Sequence, residues 1–249
     1  MNLTKNTVLI AGGSAGIGFE IAKLLIEKGN HVIITGRDQA RLDAAALKLK
    51  DATPIAFDVT KEEEVDELVE RLKADFPALN ILINNAGLGN SYDLVSGNRA
   101  WEKAEAEMQT NYISVLRLTE KLLPHLRNQA AAAVVNVSSI VAIAPSLRTP
   151  TYSVSKAAVH SYTELLRLAL WDTSVKVFEL MPPLVNTEFS KEIGGENGIP
   201  ATQVAEDLIA ALEQDTYEIH VGQTAYIYEL SQTSRAEALE AMNQRAAQV

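Results

Sequence analysis

The sequence predicts an α/β fold in one domain, residues 1–249: a doubly wound parallel sheet of about seven strands with helices on both faces. Three observations carry that expectation. Strand-like and helix-like stretches alternate along the chain with short links. Several strands, Val32-Ile33-Ile34 and Ile81-Leu82-Ile83 among them, are unbroken apolar runs, as expected where helices cover both faces of a sheet. A glycine-rich turn, AGGSAGIG, joins the first strand to the first helix.

The elements follow in order. Residues 7–11 read as a strand. The helix after the glycine turn puts Ile17, Ile21, Leu24 and Leu25 on one face and stops at Gly29-Asn30. Residues 31–35 are a strand, 38–50 a helix rich in Ala and Leu, and 54–57 a strand. The helix over 62–75 turns Val65, Leu68, Val69 and Leu72 inward. A strand at 80–84 precedes one long helix over 100–123 and a strand at 131–138. Pro150 stands where a helix over 151–171 begins. A strand at 175–181, a helix at 201–213, a last strand at 217–221 and a helix from 225 to the C-terminus complete the pattern. Residues 182–200, with Gly194, Gly195 and Gly198, form the longest irregular stretch and read as a lid loop.

Composition narrows the function. A formal charge of -10, from 22 Lys+Arg against 32 Asp+Glu, argues against nucleic acid and anionic membrane as partners, since phosphate surfaces need clustered positive charge. The acidic run over 62–70 reads as the solvated face of an amphipathic helix. No apolar run is long enough to span a bilayer and no signal peptide is evident, so a cytoplasmic location is expected. The absence of cysteine suits a reducing compartment and excludes thiol chemistry. The four histidines, His31, His125, His160 and His220, show no metal-ligand spacing, and no metal is expected.

Gly12, Gly16 and Gly18 are spaced G-x-x-x-G-x-G between strand and helix. Glycines there let the backbone turn tightly and approach a pyrophosphate at the helix N-terminus, and Ser14 can add a hydroxyl. The second strand ends Thr35-Gly36-Arg37-Asp38. A terminal carboxylate would select the ribose 2′-hydroxyl of NAD, whereas a cation selects a 2′-phosphate. Arg37 therefore favours NADP(H) over NAD(H), with Asp38 as the cap of the next helix.

Tyr152 and Lys156 stand four residues apart on one helix face, and Ser139 ends an apolar strand. An ammonium and a helix N-terminus both favour phenolate. Bringing a phenol from about 10 to neutrality takes roughly 4 kcal/mol. On that expectation Tyr152 is an acid/base at cellular pH, with Ser139 holding a substrate oxygen beside it.

With these residues in hand, the chain resembles the short-chain dehydrogenases/reductases, from the first strand through about Thr187. The likeness rests on the glycine turn, NNAG at 84–87, Asn111, Ser139 and YSVSK at 152–156, in that order. It is nearer still to a bacterial subgroup named after the teichoic acid D-alanylation operon. The resemblance implies a single-domain Rossmann fold and an oxidoreductase interconverting a carbonyl and an alcohol. Tyr152 is then the acid/base, Ser139 positions the substrate, and Lys156 holds the nicotinamide ribose and lowers the Tyr152 pKa. Asn111 supports a water linking Lys156 to solvent. The glycine turn with Ile17 takes the pyrophosphate, and Asp58 and Val59 contact adenine. Asn85, Ala86 and Gly87 flank the adenosine ribose, and the stretch with Pro182, Val185 and Thr187 holds the carboxamide end.

Three departures from the family pattern carry their own expectations. Ala11 replaces the usual Thr and should loosen the link to the NNAG strand. Pro182-Pro183 replaces Pro-Gly and should stiffen the lid. The common Asp-Gly-Gly ending is missing, which weakens the case for a homotetramer but leaves a homodimer through the helices at 100 and 151. The expected pocket wall, Ala142, Ile143, Leu147, Met181, Leu184 and Phe189, is apolar and suits a small hydrophobic ketone, aldehyde or alcohol. Two rivals are a non-catalytic NADP sensor on the same fold, and a serine hydrolase using Ser14 of the G-x-S-x-G match at 12–16.

Overall fold

The computed structural model describes residues 1–97 and 99–244. Among them, seven strands form one sheet: Thr7–Ala11 (β1), His31–Gly36 (β2), Ala52–Ala56 (β3), Leu79–Asn84 (β4), Ala132–Val137 (β5), Val175–Met181 (β6) and Glu218–His220 (β9). Their order is β3-β2-β1-β4-β5-β6-β9 and every pairing is parallel. The chain reverses its direction of winding between β1 and β4. In such sheets the crevice at the strands' carboxyl ends opens at that point.

Alternate residues of the strands feed two cores. Val8, Ile10, Val32 and Ile34 pack against Gly16–Glu27 (α1), Gln39–Leu49 (α2) and Ala201–Gln214 (α8) through Ile21, Leu25, Leu42 and Leu208. Leu9, Ile33, Leu82 and Val134 face Glu62–Asp75 (α3), Ser114–Arg127 (α5) and Pro150–Ala169 (α7) through Val65, Leu72, Leu118 and Leu166. The second face also carries a buried polar ladder. Asn84 donates to Thr119 Oγ1 and Asn136 Oδ1, and Asn136 donates to Thr163 Oγ1 at 2.9 Å. It joins two strands to two helices in a place where an unpaired amide would be expensive.

The structure corrects several expected boundaries. The helix expected at 100–123 is Ala100–Met108 (α4), a π turn at Gln109–Ile113, and then α5, which runs through Pro124 to Arg127. Pro124 removes one backbone donor, and its would-be acceptor on Glu120 sits on an exposed residue, so water can serve it. The 182–200 stretch is not irregular. Val185–Asn186 (β7) pairs in parallel with Ile199–Pro200 (β8), and the 3₁₀ turns Glu188–Ile193 and Gly195–Asn197 lie between them. A short helix, Ile140–Ile143 (α6), follows Ser139. The C-terminal part is Gln223–Thr233 (α9) and Arg235–Asn243 (α10); residues 245–249 of the expected helix lie outside the described residues. Asn243 fastens α10 over α6, donating to Pro145 O at 3.0 Å and accepting from Leu147 N at 2.8 Å.

Candidate active site

The carboxyl ends of the strands open into a cleft of about 600 Å³. At one end lie Gly12, Ser14, Gly16 and Ile17 of the glycine turn, with Asn85, Ala86 and Gly87 beside them. Gly12 (φ +80°) and Gly16 (φ +57°) adopt backbone that side-chain-bearing residues avoid. A Cβ on Gly18 would stand 2.3 Å from Gly12 O, so the helix can approach the turn only without one. Ala15, the N-cap of α1, makes no side-chain cap bond. The first amides of α1 therefore offer their hydrogens to an anion, and this cradle fits a pyrophosphate. With no hydroxyl at Ala11, the two strand ends are joined through Asn85, whose N donates to Ala11 O at 3.2 Å and whose Nδ2 donates to Gly12 O at 2.8 Å.

At the other end Ser139, Tyr152 and Lys156 converge. Ser139 caps α6, accepting from Val141 N at 3.3 Å, and donates to Pro182 O at 3.4 Å. Pro150 opens α7, so Tyr152 lies in its first turn and Lys156 one turn on. Lys156 Nζ is 5.6 Å from the Tyr152 ring centroid and donates to Val137 O at 2.7 Å. Phe189 of the 3₁₀ turn Glu188–Ile193 packs against the phenol ring at 5.8 Å between centroids. Asn111 does not line the cleft. Its amide clamps the Leu88 peptide (2.7 Å from Leu88 N, 2.8 Å to Leu88 O) and donates to Ser155 Oγ, which bonds Tyr152 O. It thus braces the first turn of α7 against the segment that follows β4.

Residues 6–198 match the short chain dehydrogenase family. The chain belongs to that family. It is 40% identical over 199 residues to the uncharacterized oxidoreductase DltE of Bacillus subtilis, covering 80% of this chain and 79% of that one. A short chain dehydrogenase from Burkholderia cenocepacia in complex with NADP superposes with a TM-score of 0.86 at 27% identity, covering 97% and 98% of the two chains. A short chain dehydrogenase/reductase from Burkholderia phymatum in complex with NAD shares the fold, with a TM-score of 0.85 at 20% identity over 94% and 97%. This short-chain dehydrogenase is accordingly an oxidoreductase whose fold binds a nicotinamide cofactor.

Electrostatics in the dehydrogenase cleft differ from the expectation for Tyr152. Burial pushes the phenol above its ordinary value; the facing Ser139 hydroxyl works the other way, and buried Glu107 adds to the rise. Burial also pushes Lys156 down, to about 8, against a nearby Glu179 carboxylate that favours the ammonium. The reason is packing: both groups are enclosed, and for each the loss of water outweighs its favourable partner, Ser139 for the phenol and Glu179 for the ammonium. Tyr152 is held as a phenol.

Other expected residues divide. Pro182, Val185 and Thr187 line the cleft, as do Leu184 and Phe189. Ala142, Ile143, Leu147 and Met181 do not line it. Ile143 and Met181 join a buried cluster with Ile227 and Ala238, Ala142 is half-buried on α6, and Leu147 is exposed. Val59 packs against the core under α3. Burial disfavours the Asp58 charge, but the amide and hydroxyl of Thr60 outweigh it and hold the carboxyl below its ordinary value. Arg37 is exposed at the end of β2 and does not line the cleft, whereas Arg41, one turn into α2, does.

The sequence reading passed over Arg41, Arg148 and the α9–α10 residues Gln223 and Met242, all of which line the cleft. Arg41 could have been found four residues after Arg37 on a capped helix; the α9–α10 residues carry no local signal. No histidine is among the described cleft residues, so the hydrolase alternative lacks the Ser-His pair that its motif calls for. Among the described residues no helix is long and apolar enough to cross a membrane, and no cluster of three or more His, Asp or Glu could hold a metal ion.

Proposed function

We propose that this oxidoreductase interconverts a small, mainly hydrophobic carbonyl compound and its alcohol, with NADP(H) preferred. The observation that carries the reading is the convergence of Ser139, Tyr152 and Lys156 on the cleft that also holds the glycine turn. The nicotinamide cofactor, when bound, supplies or accepts the hydride. Ser139 and Tyr152 hold the substrate oxygen between their hydroxyls. As negative charge grows on that oxygen, the Tyr152 hydroxyl gives it a proton. A phenol held protonated by burial suits this reductive direction. Lys156 holds the ribose and favours the phenolate left behind. The apolar substrate wall comes from Leu184, Phe189, Ile193 and Met242.

For the cofactor, Arg37 at the end of β2 and Arg41 at the cleft edge supply two guanidinium groups for a 2′-phosphate, with no carboxylate at Gly36 to repel it. Val154, Leu165 and Leu168 on α7, Trp171 just beyond its end and Trp101 on α4 are large apolar side chains left exposed, and we assign this face to a homodimer. The reading includes a cytoplasmic location.

The test is absorbance-followed oxidation of NADPH and NADH against hydrophobic ketones, aldehydes and diketones. NADPH turnover is expected to fall by about 10³-fold or more in Tyr152→Phe with folding intact. Wild-type turnover in that variant overturns the assignment. A joint Arg37→Ala/Arg41→Ala change should raise KM for NADPH about tenfold or more and leave NADH alone; an equal effect on both cofactors overturns the NADP preference. Tight NADPH binding with no turnover on any carbonyl would favour a sensor instead.

A further inference from the structure

Behind the cleft, one buried carboxylate is unused by the reaction described above. Glu179 lies in the middle of β6 between Phe178 and Leu180, and all three are 0% exposed. Its oxygens are engaged from two directions. Ser138 Oγ, the hydroxyl next to Ser139 in the chain, donates to Oε1. His160 Nδ1 lies 2.9 Å from Oε2 and 3.1 Å from Oε1. His160 stands one turn beyond Lys156 on α7, which is one turn beyond Tyr152, so the three share a helix face.

The charges around Glu179 sort themselves. From α7 come Lys156, His160, Glu164 and Arg167; from β9, next in the sheet, come Glu218 and His220; from β5 comes Ser138. Arg167 is matched to Glu218 at 2.9 Å. Glu164 reaches His160 only at 4.0 Å, with its side chain half in solvent. His220 is pushed below its ordinary value by burial, and its Nε2 has no partner. Two cations are then left for the buried carboxylate: His160 in direct contact, and the ammonium of Lys156, whose bond to Val137 O places it at the residue before Ser138.

We infer that Glu179 is a positioning residue for the Ser139/Tyr152/Lys156 set: it is the buried counter-charge of the Lys156 ammonium, and through Ser138 it anchors the strand end that presents Ser139. The inference rests on the reading of Lys156 as the residue that holds the ribose. A buried lysine loses its proton readily, and a neutral amine would neither attract the phenolate nor hold two hydroxyls as firmly. An ionised carboxylate behind it opposes that loss. An apolar residue at 179 would fill the same space in the sheet without doing so.

The test uses two readouts that need no turnover. NMR of lysine-labelled protein, following the side-chain Cε and Hε shifts with Lys156→Met to assign the signal, titrates Lys156, which is 4% exposed at the cleft wall. Glu179→Gln keeps the shape and an acceptor for Ser138 but removes the charge. Its Lys156 midpoint should fall by about one pH unit or more. A midpoint equal to wild type overturns the inference.

The second readout needs no variant and stands even where Glu179→Gln fails to fold. By NMR of histidine-labelled wild-type protein, His160 should titrate above the ordinary value of about 6.5. A midpoint at or below it would mean that Glu179 is a neutral acid, and the inference would fall. Because neither readout depends on carbonyl reduction, its failure and that of the proposed reaction are separable.

Discussion

Replacing the lysine at the centre of the cleft should make the protein more stable. In the fold Lys156 is 4% exposed and its pKa is pushed down to about 8 from an ordinary 10.5. At about 1.36 kcal/mol per unit, keeping the buried ammonium charged costs roughly 3 kcal/mol. Lys156→Met keeps the length of the side chain and removes the charge. It also strands Val137 O, which accepts the lysine's bond at 2.7 Å, at a cost of about 1–2 kcal/mol. The net expectation is a gain of roughly 1–2 kcal/mol at pH 7 with turnover lost, a trade of stability for function. The sign follows from proton binding. Below about 8 both folded and unfolded lysine are charged and the whole cost is present. Between about 8 and 10.5 the unfolded chain holds more protons than the folded one, so wild-type stability recovers as pH rises. Urea denaturation of both proteins at pH 7, 9 and 10 checks this. The variant's advantage should shrink across the series. A variant less stable than wild type at pH 7, or an advantage that does not change with pH, refutes the reasoning.

Three further expectations concern the scaffold. Gly18→Ala would put a Cβ 2.3 Å from Gly12 O and 2.6 Å from Asn85 Nδ2, so the turn must shift; a loss of about 1–3 kcal/mol and at least a tenfold weaker NADPH titration by fluorescence should follow. Gly29→Ala, at φ +79° in open space, should cost about 1 kcal/mol by urea melt and leave cofactor affinity unchanged. Asn136→Leu removes the acceptor of Asn84 and the donor to Thr163 in a site that is 0% exposed; about 2–3 kcal/mol should be lost on the same assay.

The sheet was legible because its strands are buried on both faces and read as apolar runs, and α3 was legible because Val65, Leu68, Val69 and Leu72 keep helical spacing. Residues 182–200 were not, since two-residue strands and 3₁₀ turns carry no periodicity to read. The four-residue spacing of Tyr152 and Lys156 is local and could be seen; the direction of the Tyr152 shift could not, because it comes from burial that only the folded cleft supplies, with Phe189 of the 182–200 stretch beside the ring. Ala142 and Leu147 stand close to Ser139 in the chain, yet neither lines the cleft: Ala142 is half-buried on α6, and Leu147, beyond that helix, is exposed. Glu179 did leave a sign: a carboxylate in the centre of VKVFELM is out of place in a strand covered on both sides.

The π turn at Gln109–Ile113 sets how this part of the chain can vary. Wide turns of this kind hold one residue more than an α-helical turn does, and they gather at functional sites. Deleting one residue here would restore an unbroken α-helix: four residues at about 100° each turn the chain through nearly the angle that five span in the wider turn. Leu118, Leu122 and Leu126, all buried, would therefore keep their side toward the sheet. What the deletion removes is the bulge itself, from which Asn111 reaches Leu88 and Ser155. The extra residue thus leaves the packing of α5 untouched and serves the clamp beneath the first turn of α7; the chain could give it up and keep its sheet, and would lose the brace under Tyr152.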